Sequence, residues 1–138
     1  METLMPDLLV LDDIDLLTIL VILEAEAEPL LGKIAVACVV RNRVHDKRWP
    51  DRWKEVMLQP KQFSCFLPEY FRPEVLTRSH QDPYWRECHF AAFGVYNKYI
   101  RSEANHANHY YSTDIPEPYW AKGHEPVLEI GKHRFYKL

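Results

Sequence analysis

The sequence predicts a mainly α-helical fold of the α+β class, with a small β-hairpin confined to its C-terminal end. Three observations lead there. Two apolar segments with helical spacing fill residues 13–27 and 30–45, and Glu28-Pro29 separates them. A third helical pattern opens at Asp82-Pro83. The strand-like alternation lies after Val127, around Gly131.

The elements follow in order. Asp12 or Asp13 is placed to cap the first helix. Ile14, Leu17, Val21 and Ile22 share one of its faces with Thr18, while Leu16, Ile19, Leu20 and Leu23 make the other faces apolar. A helix apolar on nearly every side is expected to be buried. The residue before a proline is pushed out of the helical region, so Glu28 ends this segment and Pro29 suits the first turn of the next. Within 30–45, the run from Ile34 to Val40 has no polar break, which marks it as the central helix. A short helix is expected between Pro50 and Leu58. Residues 59–77, with Pro60, Pro68 and Pro73, read as a long irregular segment, and loops of that length in compact domains tend to carry function. In the helix after Asp82-Pro83, Trp85, Cys88, Ala92, Val95, Tyr96 and Tyr99 fall on one apolar face. The stretch from Asn105 to Tyr119 is rich in His, Asn, Tyr and Pro. Val127 to Ile130 and Arg134 to Tyr136, joined through Gly131, read as the hairpin.

A chain of 138 residues is expected to form one domain, 1–138, and 47% hydrophobic content gives it material for a core. The formal net charge of −3 argues against a nucleic-acid partner, which would call for a basic surface. The apolar run from Leu16 to Leu23 is too short to span a bilayer, so no membrane insertion is expected. It follows Asp7, Asp12, Asp13 and Asp15 rather than a cationic start, which is not the pattern of a secretory signal. The expected location is therefore the cytoplasm until release. Cys38, Cys65 and Cys88 are odd in number and form no CxxC pair, so no disulfide framework is expected, and burial is the expected state of Cys38 and Cys88.

The first candidate for chemistry is Glu24. It directly follows an uncharged apolar run, where a helix can deliver a carboxylic acid to a cleft and burial can keep it protonated near neutral pH. That is the requirement for protonating a glycosidic leaving oxygen. Glu28 lies one turn further on and shares the face of Glu24 if the helix persists, whereas Glu26 is expected to point away.

The chain from Glu24 onward resembles the SleB/CwlJ family of cell-wall hydrolases. The family opens E-A-R-G-E-P-x-x-G-Q, then an A-V-A run and N-R-V. The matching residues here are Glu24-Ala-Glu-Ala-Glu28-Pro29-Leu-Leu-Gly32-Lys33, then Ala35-Val-Ala37 and Asn42-Arg43-Val44. Gln62-Phe63-Ser64, His109-Tyr110-Tyr111, Pro118-Tyr-Trp120-Ala121 and Ile130-Gly-Lys-His133-Arg-Phe135-Tyr136 follow in the family's order. The departures are Glu26 and Ala27 for Arg and Gly, and Lys33 for Gln; Glu26 is expected to raise the pKa of a nearby acid.

The resemblance implies a lysozyme-like helical domain that cleaves the bond between N-acetylmuramic acid and N-acetylglucosamine, as lytic transglycosylases do. It maps the single catalytic glutamate onto Glu24, with the muramyl 6-hydroxyl as nucleophile. The glycan strand of peptidoglycan is then the partner, and no cofactor is expected. For Glu28, binding competes with capping the second helix. Gln62 and Ser64 are expected to hydrogen-bond sugar hydroxyls, and Phe63 either joins them or packs in the core. Tyr110, Tyr111 and Trp120 are candidate walls for sugar rings. His133 is read as a hydrogen-bonding residue near the substrate rather than a catalyst. An endolysin released from the cytosol fits these features. A peptidoglycan-binding protein without activity is one alternative. A zinc amidase built on His106, His109, His124, His133 and Cys65 is another, although the HxxH spacing lacks the glutamate of HExxH and no metal is expected.

Overall fold

The computed structural model describes residues 6–60 and 62–138. The first five positions, part of the stretch read above for an export signal, lie outside the described residues. A short helix α1 (Pro6–Leu9) precedes α2 (Asp13–Ala25), α3 (Leu30–Val44), α4 (Trp53–Met57) and α5 (Pro83–Tyr96). Asp12 caps α2, its carboxylate accepting from the Asp15 amide at 2.8 Å, and Asp82 caps α5 by accepting from the Tyr84 amide at 2.8 Å.

Helices α2, α3 and α5 pack against one another to form the core. From α2 come Leu16, Leu17, Leu20, Val21 and Ile22, and from α3 the uninterrupted run Ile34 to Val40; all are buried. Thr18 is also fully buried, and it donates its hydroxyl proton to the Ile14 carbonyl, which satisfies it within its own helix. Cys38, Cys65 and Cys88 are free and buried. No helix among the described residues is long and apolar enough to cross a membrane.

Helix α2 ends two residues before the expected limit, with Glu26 as its cap. Tyr99 does not join the apolar face of α5: the helix stops at Tyr96, Lys98 takes a positive φ of 64°, and Tyr99 is left 74% exposed. The irregular stretch after Gln59 contains two 3₁₀ turns, Ser64–Phe66 and Pro73–Leu76.

The hairpin forms as β2 (Leu128–Ile130) and β3 (His133–Tyr136), but the sheet has a third strand, β1 (His109–Ser112). β3 lies in the middle, antiparallel to both neighbours, with Tyr110 opposite Phe135 and Ser112 opposite His133. β1 arrives from an unusual turn in which Ala104, Asn105 and His106 all have positive φ, at 49°, 54° and 64°. Left-handed conformation costs an L-residue on the order of 1–2 kcal/mol, so this turn must be held from outside.

The last turn of α3 holds it. Arg41 donates to the carbonyls of Ile100 and Ser102, Asn42 donates to those of Glu103 and Ala107 at 2.9 Å each, and the Arg43 Nε donates to that of Asn108 at 2.8 Å. Three consecutive side chains thereby fix the backbone on both sides of the turn.

Candidate active site

Two lobes of one cleft meet at the C-terminal end of α2, with volumes of about 750 and 420 Å³, each within the usual range for ligand clefts. Leu23, Glu24, Ser112 and His133 line both, so they form the waist between them. The larger lobe adds Glu26, Glu28, Lys33, Arg72, Tyr84 and Lys132. The smaller adds Arg43, Gln62, Phe63, Ser64, Tyr110 and Trp120.

Glu24 sits at this waist because the buried faces of α2 carry it to the rim of the core. Burial pushes its carboxyl pKa up, and the adjacent Cys65 thiol opposes that in part. Burial, followed by the proximity of Glu24, raises the Cys65 thiol well above the ordinary cysteine range, so Cys65 stays protonated and can only donate. Replacing Cys65 with alanine removes the one influence that lowers Glu24. The Glu24 carboxyl is expected to titrate at still higher pH, which a ¹³C-carboxyl NMR titration would read; a titration at lower pH would contradict this coupling.

Glu26 does not point away. It lines the larger lobe, where the Arg78 Nη1 lies 2.5 Å and the Arg72 Nη1 3.5 Å from its carboxylate. Two guanidinium groups face its carboxylate, and the shift of Glu24 comes from burial rather than from Glu26, contrary to the expectation from sequence. Lys33 is buried and pairs with Glu87 of α5 at 2.6 Å, so this departure from the family pattern ties α3 to α5.

Glu28 does not cap α3, whose first turn has no side-chain cap. Its Oε1 accepts from the Lys132 amide at 2.9 Å across the hairpin turn. Gly131 makes room for this: it has φ +55°, and a Cβ there would run into the Glu28 carboxyl group. Gly131→Ala is therefore expected to destabilise the fold by about 1–2 kcal/mol through the left-handed backbone alone, measured as a lower denaturant midpoint.

The His133 Nδ1 approaches the same Glu28 oxygen at 3.2 Å, outside hydrogen-bonding alignment and with no other partner among the described residues. Burial lowers the His133 pKa, and Glu28 opposes that.

The aromatic residues divide by role. Tyr110 packs its ring against Phe63, Phe135 and the edge of His133, so its faces are used within the protein. Its hydroxyl is buried without a partner, and burial with the nearby Glu24 raises its pKa. Tyr111 is buried and stacks on Tyr136 at 6.0 Å. Both tyrosines nevertheless line the smaller lobe, where their rings are held by these aromatic neighbours. Trp120 lines the smaller lobe and is half-buried against Tyr111, Tyr136 and His109. Phe63 is 5% exposed and lies under the Arg43 guanidinium at 5.1 Å, while Gln62 and Ser64 are exposed on the lobe rim.

Sequence reasoning missed Arg43, Cys65, Arg72 and Ser112 as lining or contacting residues. Arg43 and Cys65 adjoin or lie in stretches already singled out, but only the tertiary fold brings them to Gln62 and Glu24. The histidines of the zinc reading do not converge: His106 pairs with Glu103 at 3.0 Å and His109 with Asn108 at 2.8 Å. Among the described residues, no three His, Cys, Asp or Glu side chains are grouped to hold a metal.

Chemically, the waist offers a carboxyl group whose pKa burial raises and an imidazole whose pKa burial lowers, with open lobes on either side for an extended ligand.

Residues 27–136 match the Cell Wall Hydrolase family, Hydrolase_2. The chain is 29% identical over 126 residues to the spore cortex-lytic enzyme of Bacillus subtilis, covering 90% of this chain and 37% of that protein. It is 27% identical over 126 residues to the corresponding enzyme of Halalkalibacterium halodurans, covering 90% and 34%. The chain thus spans little more than a third of the length of these relatives. Among solved structures, it is similar to the catalytic domain of the germination-specific lytic transglycosylase SleB from Bacillus anthracis, with a TM-score of 0.72, 26% identity and coverage of 91% and 93%. The catalytic domain of Bacillus cereus SleB gives 0.67, 25%, 91% and 89%. The lysozyme-like, mainly helical fold expected from the sequence agrees with these likenesses.

Proposed function

Because the chain belongs to the cell wall hydrolase family, we propose that it cleaves the glycan strand of peptidoglycan at the bond between N-acetylmuramic acid and N-acetylglucosamine, with Glu24 as the acid. The observation that carries this reading is the position of Glu24: a carboxyl whose pKa burial raises, at the point where two lobes of a cleft meet. A polymer lying through both lobes would present one linkage to that carboxyl. The similarity to lytic transglycosylase domains supports the same chemistry.

In this mechanism Glu24 delivers its proton to the glycosidic oxygen as the bond to the muramyl anomeric carbon breaks. The muramyl 6-hydroxyl then closes on that carbon and gives a 1,6-anhydro end. Gln62, Ser64 and Trp120 hold the strand in the smaller lobe, and Arg72 and Lys132 are the cations facing the larger one.

Digestion of purified sacculi followed by mass spectrometry of the soluble fraction tests the reading. Fragments ending in 1,6-anhydromuramic acid are the expected products. New free amino groups without glycan cleavage would replace it with an amidase, and tight binding without any release would replace it with a wall-binding protein.

A further inference from the structure

We propose that His133, oriented by Glu28, is a second catalytic residue: the base that takes the proton from the attacking 6-hydroxyl. This deepens the reading above and rests on it. In the simpler scheme one glutamate acts as both acid and base. The structure holds a separate group with the attributes of a base at the same waist.

Four observations support this assignment. His133 lines both lobes of the cleft, as Glu24 does. Its ring is fixed on the central strand of the sheet, with Ser112 and Ile130 as its cross-strand neighbours and the Tyr110 ring edge-on at 5.4 Å. Rigid elements hold catalytic geometry better than loops do. Nδ1 is the ring nitrogen facing Glu28, whose Oε1 lies 3.2 Å away, and closing that contact into a hydrogen bond would keep the proton on Nδ1 and leave Nε2 its lone pair. Finally, Glu28 is itself anchored by the Lys132 amide, which fixes the carboxylate that orients the ring. The long contact between Glu28 and His133 fits a catalytic hydrogen bond that tightens only when substrate is bound.

Opposed environments complete the pair. Burial raises Glu24 and lowers His133, which favours the protonated form of the acid and the unprotonated form of the base. The charged and titratable groups facing His133 are Glu28 from the α2–α3 connection, Asp114 beyond β1, Tyr110 on β1 and Glu24 across the waist.

The Glu24 proton goes to the glycosidic oxygen, and the bond from that oxygen to the muramyl anomeric carbon breaks with its electron pair on the leaving oxygen. The 6-oxygen forms the new bond to the anomeric carbon, and its proton passes to His133 Nε2. The imidazolium then returns a proton to the Glu24 carboxylate, and both groups end as they began.

The test measures kcat/KM against pH on purified glycan strands for wild type, His133→Gln, Glu28→Gln and Glu24→Gln. His133→Gln is expected to lose about 100-fold or more in rate, and its acid limb should disappear while the alkaline limb set by Glu24 remains. In Glu28→Gln the amide oxygen can still accept from Lys132, but the charge that raises His133 is gone. Its acid limb should move to lower pH, a change that a merely structural role would not produce. If His133→Gln fails to fold by circular dichroism, the Glu28→Gln profile decides alone.

Wild-type rate and an intact acid limb in His133→Gln, or an unmoved limb in Glu28→Gln, would overturn the role of His133 and leave the Glu24 reading in place. Wild type that cuts no glycan, or Glu24→Gln as active as wild type, would overturn both.

Discussion

Glu24→Gln is expected to lower kcat/KM on glycan strands by about 100- to 10,000-fold, the usual contribution of a positioned general acid. Glutamine keeps the shape and the hydrogen-bonding capacity of the side chain but has no acidic proton to give. Glu24 is half-buried at the end of α2, and a neutral amide of the same shape adds no charge to an environment that already disfavours the carboxylate. Thermal stability should therefore stay close to wild type while activity is lost. Parallel digestion and calorimetry would check both halves, and a variant that retained full activity would remove Glu24 from the mechanism.

The alkaline limb follows from the same group. Activity needs the protonated carboxyl, and burial raises its pKa, so activity should persist to higher pH than an ordinary glutamate would allow. It should decline as pH rises through the Glu24 value.

The largest loss of stability is expected at Arg43. Its side chain is 4% exposed, it donates to the Asn108 carbonyl at 2.8 Å, and its guanidinium lies 5.1 Å from the Phe63 ring and 5.2 Å from that of Trp49. Arg43→Met preserves most of the volume but leaves the Asn108 carbonyl unpartnered in the interior and removes both cation–π contacts. An orphaned buried acceptor costs about 1–3 kcal/mol and each cation–π contact about 0.5–2 kcal/mol, so a loss of about 3 kcal/mol is expected. Chemical denaturation would measure it, and a loss below about 1 kcal/mol would show that Arg43 is not the anchor described here. Because Arg43 also reaches Gln62 at 3.4 Å, substrate binding should weaken in the folded fraction.

The parts of the fold that were legible in the sequence are those encoded locally. Asp12 and Asp82 announce their helices because a cap acts within three residues, and the unbroken run in α3 requires burial on all sides. Strand β1 was not legible. Its partner, β3, lies far along the chain, and the turn that launches β1 uses Ala104 and His106 in a conformation that neither residue type advertises.

The site divides in the same way. Glu24 stood out because an apolar helix leads directly to it. The role of Glu28 depends on Lys132 and His133, more than a hundred residues later, and the adjacent Pro29 suggested a helix cap instead. Tyr110 and Tyr111 suggest platforms because their residue type suits sugars, and both line the smaller lobe, but their packing against Phe135, His133 and Tyr136 is a property of the assembled sheet.

The grip of Arg41, Asn42 and Arg43 on residues 100–108 also bears on how the molecule breathes. The left-handed turn cannot persist once those side chains let go, and β1 leaves the sheet with it. The end of α3 and the strand that carries Tyr110 therefore open as a single cooperative unit. Exchange of the β1 amide protons is expected to follow the integrity of the last turn of α3, and with it the geometry of the cleft.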